Sequence, residues 1–237
     1  MEIIPAIDII DGQCVRLTKG DYGQVTRYSD DPAQVARDFE LAGISRLHVV
    51  DLDGAKARHV VNIDTLRNIT SATGLSVDFG GGVKTREDLE LVLAAGAKQV
   101  TAGSIAVSDK AEVKKWIEEF GPDKIILGAD VLDGKVMVSG WQESSGEELM
   151  DFLDYYVQLG IQYVICTDIS KDGVLAGPSF ELYEAIQLRF PTLHLIASGG
   201  VSGKDDLIRL KRQGLYGAIV GKAFYEGRLT LEELTTI

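Results

Sequence analysis

The 237-residue chain carries 24 Lys and Arg against 36 Asp and Glu, a formal net charge of -12, and 45% of it is hydrophobic. That apolar share supports a sizeable core, while the acidic balance, without any basic run, argues against nucleic acid or an anionic membrane as partner. Cys14 and Cys166 show no Cys-x-x-Cys spacing, Met1-Glu2-Ile3 starts no signal peptide, and no apolar stretch could span a bilayer, so a cytoplasmic protein is expected.

Short runs rich in Val, Ile and Leu alternate along the chain with longer amphipathic segments. They predict strands at residues 2–8, 46–51, 76–80, 99–102, 124–130, 162–167, 193–198 and 218–221. Helices are expected near 31–43, 61–73, 85–95, 109–120, 145–159, 179–189, 203–213 and 229–235. Cap chemistry opens several of them, at Asp31-Pro32, Thr85, Ser108-Asp109 and Ser202 or Gly203. Gly43, Gly96, Gly160 and Gly214 close others. Two longer segments, 13–18 and 135–141, read as hairpin excursions and hence as active-site loops; Lys19 directly follows the first.

The elements fall into two similar halves. Ile3-Ile4-Pro5-Ala6-Ile7-Asp8 returns as Ile125-Ile126-Leu127-Gly128-Ala129-Asp130, an offset of 122. Asp51 returns as Asp168 and Gly81-Gly82-Val83 as Gly199-Gly200-Val201, at offsets of 117 and 118. Such drift is what small loop insertions between two copies produce. The fold class expected is therefore α/β, a (βα)8 TIM barrel in one domain, 1–237, with half-barrels of about 1–122 and 123–237. An open doubly wound sheet predicts neither eight units nor a halfway duplication.

In a barrel of this kind, chemistry collects at the C-terminal ends of the strands. Asp8 and Asp130 end the first and fifth predicted strands, opposite one another on an eight-strand ring, where paired carboxylates can serve as acid and base. The alternative for each is a turn cap, but both precede a long loop rather than a helix. For Asp51, capping and function stand level. Thr167, beside Asp168, can hydrogen-bond a reacting oxygen. The turns at Gly81-Gly82 with Gly103-Ser104, and at Gly199-Gly200 with Gly221-Lys222, can each bring backbone N–H groups onto a phosphate, although tight turns need glycine anyway. Two such cradles on opposite sides of a ring roughly 15 Å across fit an elongated bisphosphate. Arg16 and Trp141 sit on the two long loops, and a Trp among polar neighbours suits a planar heterocycle. His48, His59 and His194 lack metal-ligand spacing and read as core or surface residues; the cysteines read as packing.

Pro5-Ala6-Ile7-Asp8, Val15-Arg16-Leu17 with Gly20-Asp21-Tyr22, Val50 to Ala55, Gly80 to Val83, Ser139-Gly140-Trp141, Cys166 to Gly173 and Ser198 to Val201 together resemble the phosphoribosylformimino-aminoimidazole carboxamide ribotide isomerase family of histidine biosynthesis. The likeness runs from Ile3 to about Gly227. It implies a cofactor-independent Amadori rearrangement, an aldose–ketose isomerisation, on a bisphosphorylated small molecule; a monomer is expected. It further implies Asp130 as general acid, Asp8 as general base, Thr167 as a sugar-orienting residue, Asp172 as loop support, and Arg16 and Trp141 as holders of the far half of the substrate. Lys84 stands where the family commonly has Arg, which keeps charge but loses bidentate geometry. The sister cyclase of the pathway, phosphoribosylanthranilate isomerase and a non-catalytic phosphosugar-binding paralogue are the rival readings.

Overall fold

The computed structural model describes residues 1–18 and 20–237, so Lys19 lies outside the described residues. Its strands are β1 (Glu2–Ile10), β2 (Gln13–Thr18), β3 (Asp21–Ser29), β4 (Arg46–Asp51), β5 (Ser76–Gly80), β6 (Gln99–Ala102), β7 (Ile125–Leu132), β8 (Lys135–Val138), β9 (Glu143–Glu148), β10 (Tyr163–Asp168), β11 (His194–Ser198) and β12 (Gly217–Val220). Eight of them run parallel in the order β10, β11, β12, β1, β4, β5, β6, β7, and β7 pairs back onto β10, so the sheet closes as a (βα)8 barrel with no free edge. Thr167 is thereby brought into register with Asp130 at the closing seam.

Alternation along the strands sorts side chains into two cores. Ile7, Leu47, Val77, Val100, Leu127 and Val164 face the helices in one apolar cluster. Ile4, Ala6, Ile126, Ile165, Ile196 and Ile219 form a second cluster inside the ring. A fully buried aliphatic side chain contributes about 1.5–3 kcal/mol, so these rows pin the register of each strand. The pleat then dictates the next residues along the inner row: Asp8 comes two residues after Ala6, Asp130 four after Ile126, Thr167 two after Ile165 and Ser198 two after Ile196. On the inner row of β4, β5 and β6 the residues are mostly polar instead, His48, Asp78, Gln99 and Thr101.

Helices α1 (Pro32–Leu41), α2 (Leu52–Ala57), α3 (Ile63–Ala72), α4 (Arg86–Ala94), α5 (Ile105–Ser108), α6 (Lys110–Phe120), α7 (Leu149–Gln158), α8 (Phe180–Arg189), α9 (Lys204–Gln213), α10 (Lys222–Tyr225) and α11 (Leu231–Thr235) link the strands. Asp31 and Asp109 accept from the Gln34 and Glu112 amides, and Thr85 closes a capping box with Asp88. Of the two residues expected to open α9, Gly203 takes the N-cap position, without a side chain to accept from the first turn. Asp206 instead reaches back, accepting from both the N–H and the hydroxyl of Ser202.

Two expectations need correction. β1 and β7 run two residues beyond Asp8 and Asp130, because each continues into a hairpin, β1 with β2 and β7 with β8. Asp11-Gly12 and Asp133-Gly134 make those turns with φ of 50° and 75°, and 51° and 80°. The helix expected from 145 begins at Leu149, since residues 143–148 pair antiparallel with β8. Ser144-Ser145-Gly146 favours helix poorly, and the ladder supplies backbone partners.

Candidate active site

All fourteen residues singled out from the sequence line one cavity of about 640 Å³ at the C-terminal mouth of the barrel: Asp8, Arg16, Gly81, Gly82, Gly103, Ser104, Asp130, Trp141, Thr167, Asp172, Gly199, Gly200, Gly221 and Lys222. Asp8 and Asp130 stand on β1 and β7, four strands apart in either direction around the ring.

The two carboxylates have unlike surroundings. Asp8 Oδ2 accepts from Arg16 Nη1 at 2.7 Å, so a guanidinium from β2 is its direct counter-charge. Burial opposes the charge on Arg16, but Asp8, with Tyr225 and Asp172 behind it, holds that guanidinium more firmly protonated than usual. Among the described residues Asp130 has no such cation in contact with it, His48 acting on it only from a distance. Its Oδ2 accepts from the indole Nε1 of Trp141 at 2.8 Å, and burial pushes its carboxyl above the ordinary range despite hydrogen bonds from Trp141 and Thr167. Asp172 is also raised by burial, with Arg16 acting in the opposite direction. One carboxylate is thus paired with a cation and the other is biased towards its protonated form, as an acid–base pair requires.

Trp141 reaches Asp130 from the β8–β9 loop, where Ser139, Gly140 and Trp141 all have positive φ, at 56°, 63° and 72°. The same indole lies against Gly20 of the β2–β3 loop, close enough that a Cβ there would fall 2.9 Å from the ring. The two excursions therefore meet over the mouth.

The glycine turns answer to two constraints. A Cβ on Gly81 would lie 2.1 Å from the Asp51 carbonyl, and one on Gly200 would lie 2.4 Å from the Gly177 carbonyl, so backbone packing alone demands glycine at both. Gly103 has nothing within 4 Å of its missing side chain and borders open cavity. At this first cradle Lys84 Nζ donates to Ser104 Oγ, and burial followed by the nearby Arg58 lowers the lysine's proton affinity. At the second, Lys222 Nζ donates to Gly173 O at 2.9 Å and pairs with Glu226 at 3.5 Å.

Arg58 lines the cavity beside Lys84 and was not singled out from the sequence. No sequence signal marks it: it caps the end of α2 in the left-handed region at φ 62°, a conformation seen only in the structure. His48, read as a core residue, also faces the cavity, its Nδ1 2.5 Å from Asp78 Oδ1. Burial opposes a charge on His48, but Asp78, with Asp8 beyond, raises its proton affinity overall.

The repeated pair Asp51 and Asp168 is occupied elsewhere. Asp51 is fully buried and accepts from the amides of Gly54, Val61 and Asn62 and from the Asn62 side chain, each at 2.7–2.8 Å. Asp168 accepts from the N–H and hydroxyl of Ser170 and from Ser179 Oγ. Both shape loops. Cys14 and Cys166 are buried free thiols, and burial pushes both away from thiolate character.

Carboxylates and cations gathered where this architecture keeps its chemistry mark a (βα)8-barrel enzyme. A family model described as "Histidine biosynthesis protein" matches residues 2–230, and the chain belongs to that family. Among its relatives are proteins named 1-(5-phosphoribosyl)-5-((5-phosphoribosylamino)methylideneamino)imidazole-4-carboxamide isomerase. That of Cytophaga hutchinsonii is 54% identical over 234 residues, 99% of this chain and 98% of the relative. Those of Bacteroides thetaiotaomicron and Bacteroides fragilis are 55% and 56% identical over the same length and shares. The chain is an isomerase of this kind.

Proposed function

We infer that the chain catalyses the cofactor-independent Amadori rearrangement of the phosphoribosylformimino-aminoimidazole carboxamide aminoaldose to its phosphoribulosyl aminoketose, a step of histidine biosynthesis. The observation that carries the reading is the unlike setting of the two opposed carboxylates: Asp130 biased towards protonation by burial, Asp8 held against Arg16 at 2.7 Å. The names of the relatives, which specify two phosphoribosyl groups, supply the substrate.

On this reading Asp130 donates its proton to the ribose ring oxygen. The C1′–O bond breaks, and a protonated Schiff base forms at C1′. Asp8 removes the C2′ proton, and the electron pair left behind neutralises the iminium as an enolamine, which tautomerises to the ketose. Thr167, in register beside Asp130, orients the sugar. Gly81, Gly82, Gly103 and Ser104 take one phosphate with Lys84 and Arg58 near at hand, and Gly199, Gly200, Gly221 and Lys222 take the other. Trp141 stacks on the heterocycle, Arg16 holds the far half of the substrate and Asp172 supports its loop, while the meeting loops keep water from the intermediates. The two cradles and two carboxylates fit descent of the barrel from a doubled half-barrel, working as a monomer.

The test is turnover of the purified chain on the aminoaldose without ammonia or a glutaminase partner. Conversion supports the isomerase; turnover only of the ketose with added ammonia makes it the cyclase. Asp8→Asn and Asp130→Asn should each bind substrate but lose turnover by several orders of magnitude, on the order of the 10²–10⁴ of one general acid or base together with its positioning. Near-normal rates in either variant would overturn the mechanism.

A further inference from the structure

Between the two carboxylates the floor of the cavity is formed by a buried polar group on adjacent strands: His48 of β4, Asp78 of β5 and Thr101 of β6. His48 Nδ1 meets Asp78 Oδ1 at 2.5 Å, and Thr101 Oγ1 donates to that same oxygen at 3.0 Å. Asp78 is 1% exposed, and its second oxygen, Oδ2, has no partner among the described residues. Leaving a buried carboxylate half-satisfied is costly, and apolar residues could fill this layer, as they do on the opposite wall with Ile165, Ile196 and Ile219. A buried acid that fixes one nitrogen of an imidazole sets its orientation and the proton on that nitrogen, leaving the other nitrogen for use. In His48 that other nitrogen, Nε2, has no protein partner among the described residues and is not among the buried orphans, so it opens into the cavity.

We propose that Asp78, steadied by Thr101, is a positioning residue that holds His48 with Nε2–H directed at the reacting sugar, where it donates to the hydroxyl on C2′ beside the carbon that Asp8 deprotonates. The inference rests on the isomerase reading for the identity of that hydroxyl. The titratable and charged groups facing His48 are Asp78 from β5, Asp8 from β1, Arg16 from β2 and Asp130 from β7, the last biased towards its neutral form. Asp78, in direct contact, and Asp8 outweigh Arg16, so the site favours a charged imidazole over a neutral one. Donation from a charged imidazole lowers the electron density on the C2′ oxygen, which makes the C2′ proton easier to remove. No proton leaves His48 in that step, so Asp8 remains the base.

Asp78→Asn keeps the shape and the acceptor for Nδ1–H but removes the charge. With ¹⁵N-labelled imidazole, NMR of the native protein should show both His48 nitrogens protonated near neutral pH, with the proton lost at lower pH in Asp78→Asn. Turnover by the variant should fall about 10- to 100-fold, the range seen when outer partners of metal-bound imidazoles are removed, with KM nearly unchanged. The alkaline limb of its kcat/KM profile should move to lower pH. Asp78→Glu should recover part of the rate. If Asp78→Asn does not fold, Thr101→Val and the native spectrum give the same reading. A His48 that is singly protonated in the native protein, or a variant with native kcat and pH profile, overturns the proposal. Absence of native turnover on the aminoaldose would instead overturn the assigned reaction, and leaves the NMR result legible.

Discussion

The guanidinium of Arg16 fills the space above Gly221: a Cβ on that glycine would fall 1.5 Å from Arg16 Nη2 and 2.3 Å from Cζ. The clash is with the far end of a flexible side chain, so Gly221→Ala should fold with little loss of stability while pushing Arg16 off Asp8. Melting within a few degrees of native and a fall in turnover of at least about tenfold are expected, one tenfold step being roughly 1.4 kcal/mol. Gly81→Ala is the contrasting case. Its Cβ would strike the Asp51 backbone carbonyl at a φ of 92°, so it should lose stability first. Equal melting temperatures for the two variants would contradict this division.

Trp141 holds Asp130 by one hydrogen bond and presses its ring on the opposite loop. Trp141→Phe keeps most of the ring and loses the donor. Steady-state kinetics should show a lower kcat with a smaller change in KM, because the acid is no longer aligned, and the cost should approach the ~1.5–3 kcal/mol of a hydrogen bond to the carboxylate charge that develops as Asp130 gives up its proton. A change confined to KM would mean that the indole only stacks.

Burial gives Asp130 a higher proton affinity in the native state than in the unfolded chain. Between the unfolded carboxyl value, about 3.9, and the raised native value, the native state therefore binds more protons, and stability falls as pH rises through that window. Asn carries no such charge. Asp130→Asn should thus melt higher than the native protein at neutral pH, by a few degrees, since ~1 kcal/mol corresponds to roughly 2–4 °C at this size. The difference should vanish in acid below that window. Thermal melts across pH check it, and a constant offset would show that the charge is not its source.

Asp51 makes the opposite prediction. Its removal as Asp51→Ala strands the donors of Gly54, Val61 and Asn62 in a buried site, at about 1–3 kcal/mol for each group left unsatisfied. A loss of about 3 kcal/mol or more is expected by denaturant titration, with substrate affinity of the folded protein retained. Native stability would return Asp51 to the candidate chemical groups.

Strand positions were legible because buried parallel strands read as apolar runs between capped helices, and Asp8 and Asp130 because each extends such a run on its inner face. Residues 145–148 were misread as helix because Ser-Ser-Gly between acidic residues has no period of its own; pairing with β8 decides its state. His48 and Asp78 lay hidden for a different reason. Their meaning is a contact between neighbouring strands 30 residues apart in the chain, and no spacing rule marks it. Arg58 was missed because its backbone conformation, which sets its direction, is invisible in the letter R. Conversely, Asp51 and Asp168 looked like chemistry by their repetition, and it is the loops they cap that recur.

With Trp141 seated on Gly20, the mouth is bridged by its own two loops. Any ligand that must part this bridge binds only the fraction of molecules with it undone, and its observed affinity is diluted by the rest. Shortening either loop would then quicken capture while letting intermediates escape to water: speed of uptake and fidelity of the rearrangement are set against each other by a single indole.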